Sequence, residues 1–100
     1  MQNYKLIVLL GCFLSHMAFA TANIAEEVGT RCQARMGGYG VAMVKVCIDR
    51  DMEAFVELSK YPEQNKNFID ACYALLSNHG YAIVKSCVDE DIRVAGVVSK

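Results

Sequence analysis

A stretch of twenty residues occurs twice in this chain. Cys32-Gln-Ala-Arg-Met-Gly-Gly-Tyr-Gly-Val-Ala-Met-Val-Lys-Val-Cys47-Ile-Asp-Arg-Asp51 is followed forty positions later by Cys72-Tyr-Ala-Leu-Leu-Ser-Asn-His-Gly-Tyr-Ala-Ile-Val-Lys-Ser-Cys87-Val-Asp-Glu-Asp91. Ala34/Ala74, Gly40/Gly80, Ala42/Ala82, Val44/Val84, Lys45/Lys85, Asp49/Asp89 and Asp51/Asp91 are identical, and each copy carries two cysteines separated by fourteen residues. A fixed period of this kind marks a repeated supersecondary unit. Whatever one copy folds into, the other should resemble.

Each copy reads as two helices around a glycine turn. In the first, Asn23 is positioned to cap a helix over Ile24–Met36, with Glu26 and Glu27 in its first turn, where acids suit the helix dipole. Gly29 weakens the middle of that helix. Gly37-Gly38-Tyr39-Gly40 ends it, because glycine supplies the backbone conformations that a tight connection needs. A second helix is expected over Val41–Lys60. Val41, Val44, Ile48, Met52, Phe55 and Leu58 recur at three- and four-residue steps, and Lys45, Asp49, Arg50, Glu53 and Glu57 occupy the opposite side. Pro62 cannot continue a helix interior and biases Tyr61 toward extended geometry, so residues 61–65 link the two copies.

The second copy repeats the plan. Asn65 or Asn67 caps a short helix over Asn67–Ser77, Asn78-His79-Gly80 turns the chain, and a last helix runs over Tyr81–Val98. Its stripe of Tyr81, Val84, Val88, Ile92, Ala95 and Val98 has the register of the second helix, which predicts equivalent packing roles for the two long helices. Gly96 and the β-branched residues around it predict a last turn that frays. The expected fold class is all-α: two tandem helical hairpins, over about residues 24–60 and 64–100, forming one small four-helix domain.

The N-terminus reads as a targeting segment over residues 1–20. Lys5 supplies a positive charge, Leu6–Phe19 is almost continuously apolar, and Ala18-Phe19-Ala20 fits a signal-peptidase site, with a cut after Ala22 as an alternative. The apolar run is short for a membrane span. Leu9-Leu10-Gly11-Cys12 loosely matches a lipoprotein box, so anchoring at Cys12 is the minor alternative to a periplasmic or secreted chain. Residues 21–100 would then carry nine Lys and Arg against eleven Asp and Glu, a net charge of about −2, with no basic footprint for nucleic acid.

Without Cys12, four cysteines remain, an even number in an exported chain. Four cysteines allow three pairings, and the repeat decides between them. Cys32 and Cys47 stand nearly equidistant from the turn at Tyr39, and Cys72 and Cys87 from the turn at His79. In an antiparallel helical hairpin such positions come level, since each helix rises about 1.5 Å per residue. The expected bridges are therefore Cys32–Cys47 and Cys72–Cys87. A domain this small commonly needs such staples.

No catalytic, cofactor or metal set emerges. The cysteines lack the close spacing of a redox pair. His79 is the only histidine after the signal segment and cannot alone make a zinc site or a catalytic dyad. Ser77, Ser86 and Ser99 have no base and acid arranged around them. Asp49-Arg50-Asp51 and Asp89-Glu90-Asp91 lack the ligand run of a calcium loop and read as solvated helix faces, with Lys45–Asp49 and Lys85–Asp89 as surface ion pairs. Tyr39, Tyr61, Tyr73 and Tyr81 are expected to pin the hairpins, and Met36, Met43 and Met52 to fill the core.

The string from Tyr39 to Ala54 resembles small exported bacterial proteins that share a YG-x-x-MVK-x-C-x-D-x-D helix preceded by another cysteine. The second copy, from Gly80 to Ile92, matches less fully, its aromatic following the glycine as Tyr81. The resemblance implies architecture and export, and no mechanism. Ile83-Val84-Lys85-Ser86-Cys87 is also similar to the second cysteine region of periplasmic acid-stress chaperones, although two cysteine pairs depart from their single bridge. The expected role is a non-catalytic module that binds a protein partner or forms a homodimer, without nucleic acid, cofactor or metal. A stress chaperone and a small-ligand carrier are the alternatives.

Overall fold

The computed structural model describes residues 23–98, with the Val98 side chain left aside. The expected signal segment, its two cut sites, Cys12 and Ser99 lie outside the described residues. Four α-helices and no strand occupy the described part: α1 over residues 23–36, α2 Val41–Ser59, α3 Lys66–Leu76 and α4 Tyr81–Val98. Asn23 already lies inside α1 and therefore is not the cap expected of it. Gly29 is helical, its propensity cost being overridden by the neighbouring Val28 and Cys32, both fully buried. At the other end α4 continues through Gly96 to Val98.

Both hairpins turn in the same way. Gly37–Tyr39 and Ser77–His79 each form a single 3-10 turn, closed by Gly40 N–H donating to the Gly37 carbonyl at 3.3 Å and Gly80 N–H to the Ser77 carbonyl at 3.2 Å. Gly40 then takes φ 103° and ψ 167°, and Gly80 φ 100° and ψ 165°. A Cβ is strained in that region, which explains why both copies retain glycine there. Between the hairpins, Pro62 begins a further 3-10 turn, Glu63–Asn65, that the sequence pattern does not reveal. Asn65 occupies the N-cap position of α3, and its side chain makes no capping hydrogen bond there.

Each hairpin is stapled as the repeat predicts. Cys32–Cys47 joins α1 to α2 with a Cα separation of 5.7 Å, and Cys72–Cys87 joins α3 to α4 at 5.9 Å. These distances fall where disulfides are most easily accommodated.

The core is less symmetric than the sequence. It comprises Val28, Cys32, Ala54, Leu58, Cys72, Tyr81, Val84 and Val88. Val84 and Val88 of α4 are wholly buried, and burial of a valine contributes about 1.5–3 kcal/mol. Their counterparts in α2, Val44 and Ile48, are only half-buried. Equivalent packing roles for the two long helices, expected from their shared register, are thus absent. The C-terminal half of α2 crosses the N-terminal half of α4 and covers it. The N-terminal half of α2 is more open, with Val41, Met43 and Val46 exposed.

Candidate binding surface

The junction between the repeats is built around one buried carboxylate. Asp51 is 6% exposed, a correction to its reading as part of a solvated face. Its Oδ1 accepts the Ala82 backbone N–H at 3.2 Å, satisfying an orphan donor in the first turn of α4. Its Oδ2 accepts from Arg31 Nη2 at 3.3 Å and also packs against Gly80. A carboxylate beside a helix N-terminus is stabilised by the dipole as well as by the hydrogen bond. Arg31 extends the junction: Nη1 bonds Glu27 at 3.2 Å, and its guanidinium lies 5.7 Å from the centre of the Tyr81 ring. Arg35 donates to the His79 carbonyl at 3.0 Å. These contacts between non-equivalent positions are invisible to a helical periodicity.

Tyr81 is the aromatic hub. It is buried, meets Phe55 edge-on at 5.2 Å and stacks on Tyr73 at 6.2 Å. Burial, then the negative charge of Glu27, pushes its phenol up to about 12. Beside it, Phe55, Leu58, Ile69, Tyr73 and Val84 line an open apolar cleft of about 350 Å³. Tyr61, in the link, donates to the Asp89 carboxylate, and Lys85 reaches both Asp89 at 2.8 Å and Glu57 of α2 at 3.4 Å. The expected pairs Lys45–Asp49 and Lys85–Asp89 are present.

A second feature lies at the tip of the first hairpin. Tyr39 is 76% exposed and Val41 87%, and Met43 and Val46 are also open to solvent. Tyr39 therefore pins nothing, and Met43 does not fill the core. Of the tyrosines expected to pin the hairpins, Tyr81 meets Tyr73 of its own hairpin and also packs between the repeats against Phe55 of α2. Among the described residues, none covers Tyr39 at the equivalent turn as α2 covers Tyr81. Leu75, Val94 and Val97 are a further exposed apolar set, on the second hairpin.

Cys72, Cys87 and Asp91 form the one group of metal-ligand types found among the described residues. Both sulfurs are consumed by a disulfide and carry no thiolate, so the group offers one carboxylate and cannot hold a metal as built. Asp91 Oδ2 lies 3.4 Å from Cys72 Sγ, a contact without a proton to share. The His79 imidazole and the Ser77 and Ser86 hydroxyls form no mutual hydrogen bond among the described residues; the Ser86 hydroxyl donates to the Ala82 carbonyl in its own helix. No protein-family model, curated protein or solved structure matches the chain. The two intramolecular bridges fit an oxidising compartment outside the cytoplasm. No helix among the described residues is long and apolar enough to cross a membrane.

Proposed function

We propose that this protein is a small exported, non-catalytic module of the bacterial envelope or secreted fraction that works by binding another protein chain. One observation carries the reading. Tyr39, Val41, Met43 and Val46 are open at the tip of the first hairpin, whereas Tyr81 in the equivalent turn of the second is buried under α2. Exposed apolar side chains on a stapled, preorganised scaffold support docking, because little ordering entropy is lost on binding.

A photo-crosslinking side chain at Val46, carried by the protein in its host, tests this. A discrete protein adduct is expected from Val46 and none from a control site at exposed Lys66. Equal labelling from both sites, or none from either, overturns the reading.

A small-ligand carrier is the second reading. It is supported by the apolar cleft beside Tyr81, whose 350 Å³ falls within the range that small molecules occupy. Native mass spectrometry of the untagged protein decides it: a co-purifying lipid or metabolite lost on Phe55→Ala supports the carrier, and bare protein excludes it.

A further inference from the structure

The two repeats meet through unlike surfaces. The first repeat presents a plug, Asp51 with Ala54 and Phe55 on α2. The second presents a socket, the Gly80-Tyr81-Ala82 start of α4. The plug positions recur in the second repeat as Asp91, Val94 and Ala95, and the socket positions in the first as Gly40, Val41 and Ala42, so the carboxylate, the glycine and the N–H donor are repeated and the Phe55–Tyr81 aromatic pair is not. Among the described residues, Val41 in the first repeat's socket is 87% exposed and Val94 beside Asp91 in the second repeat is 44% exposed.

The open socket copies the backbone of the occupied one, with Val41 in place of Tyr81. Gly40 and Gly80 share their backbone conformation within 3° in φ and 2° in ψ (103° against 100°, 167° against 165°). Ala42 stands where Ala82 donates to Asp51. No side chain caps α2, and a Cβ at Gly40 would meet nothing within 4 Å, whereas one at Gly80 would overlap Asp51. The open plug is Asp91, the counterpart of Asp51. It is half-buried and accepts no hydrogen bond from any N–H or O–H among the described residues. Val94, which stands where Ala54 is buried in the internal junction, is 44% exposed, and Val97 is 63% exposed.

We propose that a second copy of this chain docks head to tail, with the Asp91 face of one molecule seated on the Gly40–Ala42 turn of the next. This rests on the protein-binding reading and names its partner. The internal junction is the template: a carboxylate on an orphan helix N–H, against a glycine, flanked by apolar side chains. Because the surfaces are unlike, the contact is heterologous and leaves a free end at each addition. It extends the one-repeat-to-the-next logic of repeat arrays across molecules. Ala71 replaces Arg31, Ala95 replaces Phe55 and Val97 replaces Glu57 in the second repeat, so the intermolecular contact is weaker than the internal one and depends on concentration.

Sedimentation velocity of the disulfide-intact mature chain tests this. The wild type is expected to grow beyond a monomer as concentration rises into the millimolar range. Val41→Asp blocks the socket and Val94→Lys blocks the plug, and each is expected to stay monomeric alone. Mixed, they should form a one-to-one dimer and nothing larger, since one intact plug then meets one intact socket. Ala71→Arg with Val97→Glu restores two of the three missing residues and should tighten association about tenfold, or about 1.4 kcal/mol. A wild type that remains monomeric at millimolar concentration overturns the proposal, as does failure of the mixture to pair. The Val46 crosslink separates the two claims. An adduct of twice the chain's own mass supports a second copy. An adduct with another protein, alongside a monomeric wild type, overturns head-to-tail docking and leaves the binding reading standing.

Discussion

At the scale of single residues, the two turn glycines form a natural control pair. Both occupy a backbone region that strains any Cβ, and a substitution there costs about 1–3 kcal/mol. Only Gly80 also has Asp51 against it, with the carboxyl carbon 3.1 Å from where a Cβ would sit. Gly80→Ala should therefore lower stability more than Gly40→Ala in urea unfolding, and Asp51→Ala should narrow the gap. Asp51→Ala itself removes a helix cap and leaves Arg31 with Glu27 as its one carboxylate partner, for a loss of about 2 kcal/mol. Equal costs at the two glycines would mean that Asp51 does not hold the α4 terminus. Asp89 offers a pH test. Partial burial pushes its carboxyl up, but hydrogen bonds from Lys85 and Tyr61 outweigh that and hold it below its ordinary value of 3.8. A depressed carboxylate contributes stability above its unfolded value, and that contribution is lost as pH falls through the folded one. Tyr61→Phe should move the Asp89 titration, followed by carboxyl NMR, back toward 3.8.

At the scale of elements, the bridges have matching geometry and unequal surroundings. Each closes a loop of about 15 residues, for which the chain-entropy model gives about 3 kcal/mol. Cys72–Cys87 secures the helix that carries Val84, Val88 and Tyr81, all buried. Cys32–Cys47 secures a hairpin whose α2 start is exposed. Replacing Cys72 and Cys87 by serine should lower the global melting temperature most. Replacing Cys32 and Cys47 should chiefly raise hydrogen exchange around residues 37–46 and leave α4 protected. The hairpins, the turn glycines and both bridges were legible in the sequence because each depends on spacing within one repeat. The 3-10 turn after Pro62 was not, since Glu63-Gln64-Asn65 carries no periodic signal. Nor was the role of Asp51, because its partners Arg31, Gly80 and Ala82 belong to other elements and no local pattern brings them together.

At the scale of the whole molecule, a sequence repeat states that two units are alike and is silent on how they face each other. Val44 and Val84 share a register, yet only Val84 is fully covered, because the units stack plug to socket instead of back to back. Tyr81 lies at that junction, so its ionisation should report on the junction's integrity. Its phenol is raised from 10.0 to about 12, chiefly by burial. A group whose folded value exceeds its unfolded one stabilises the fold fully below the unfolded value and loses that contribution as pH rises through the folded one. Stability should therefore decline between about pH 10 and 12, as the unfolded chain releases a proton that the folded chain retains. Tyr61 is also raised, by burial and by the Asp89 carboxylate, but the ultraviolet tyrosinate step at about 12 should belong to Tyr81, and Tyr81→Phe should abolish both that step and its share of the alkaline decline. Persistence of the late step in Tyr81→Phe would assign it to another tyrosine and remove Tyr81 from the closed centre of the junction. Its loss without any change in alkaline stability would mean that the repeats part before the phenol ionises.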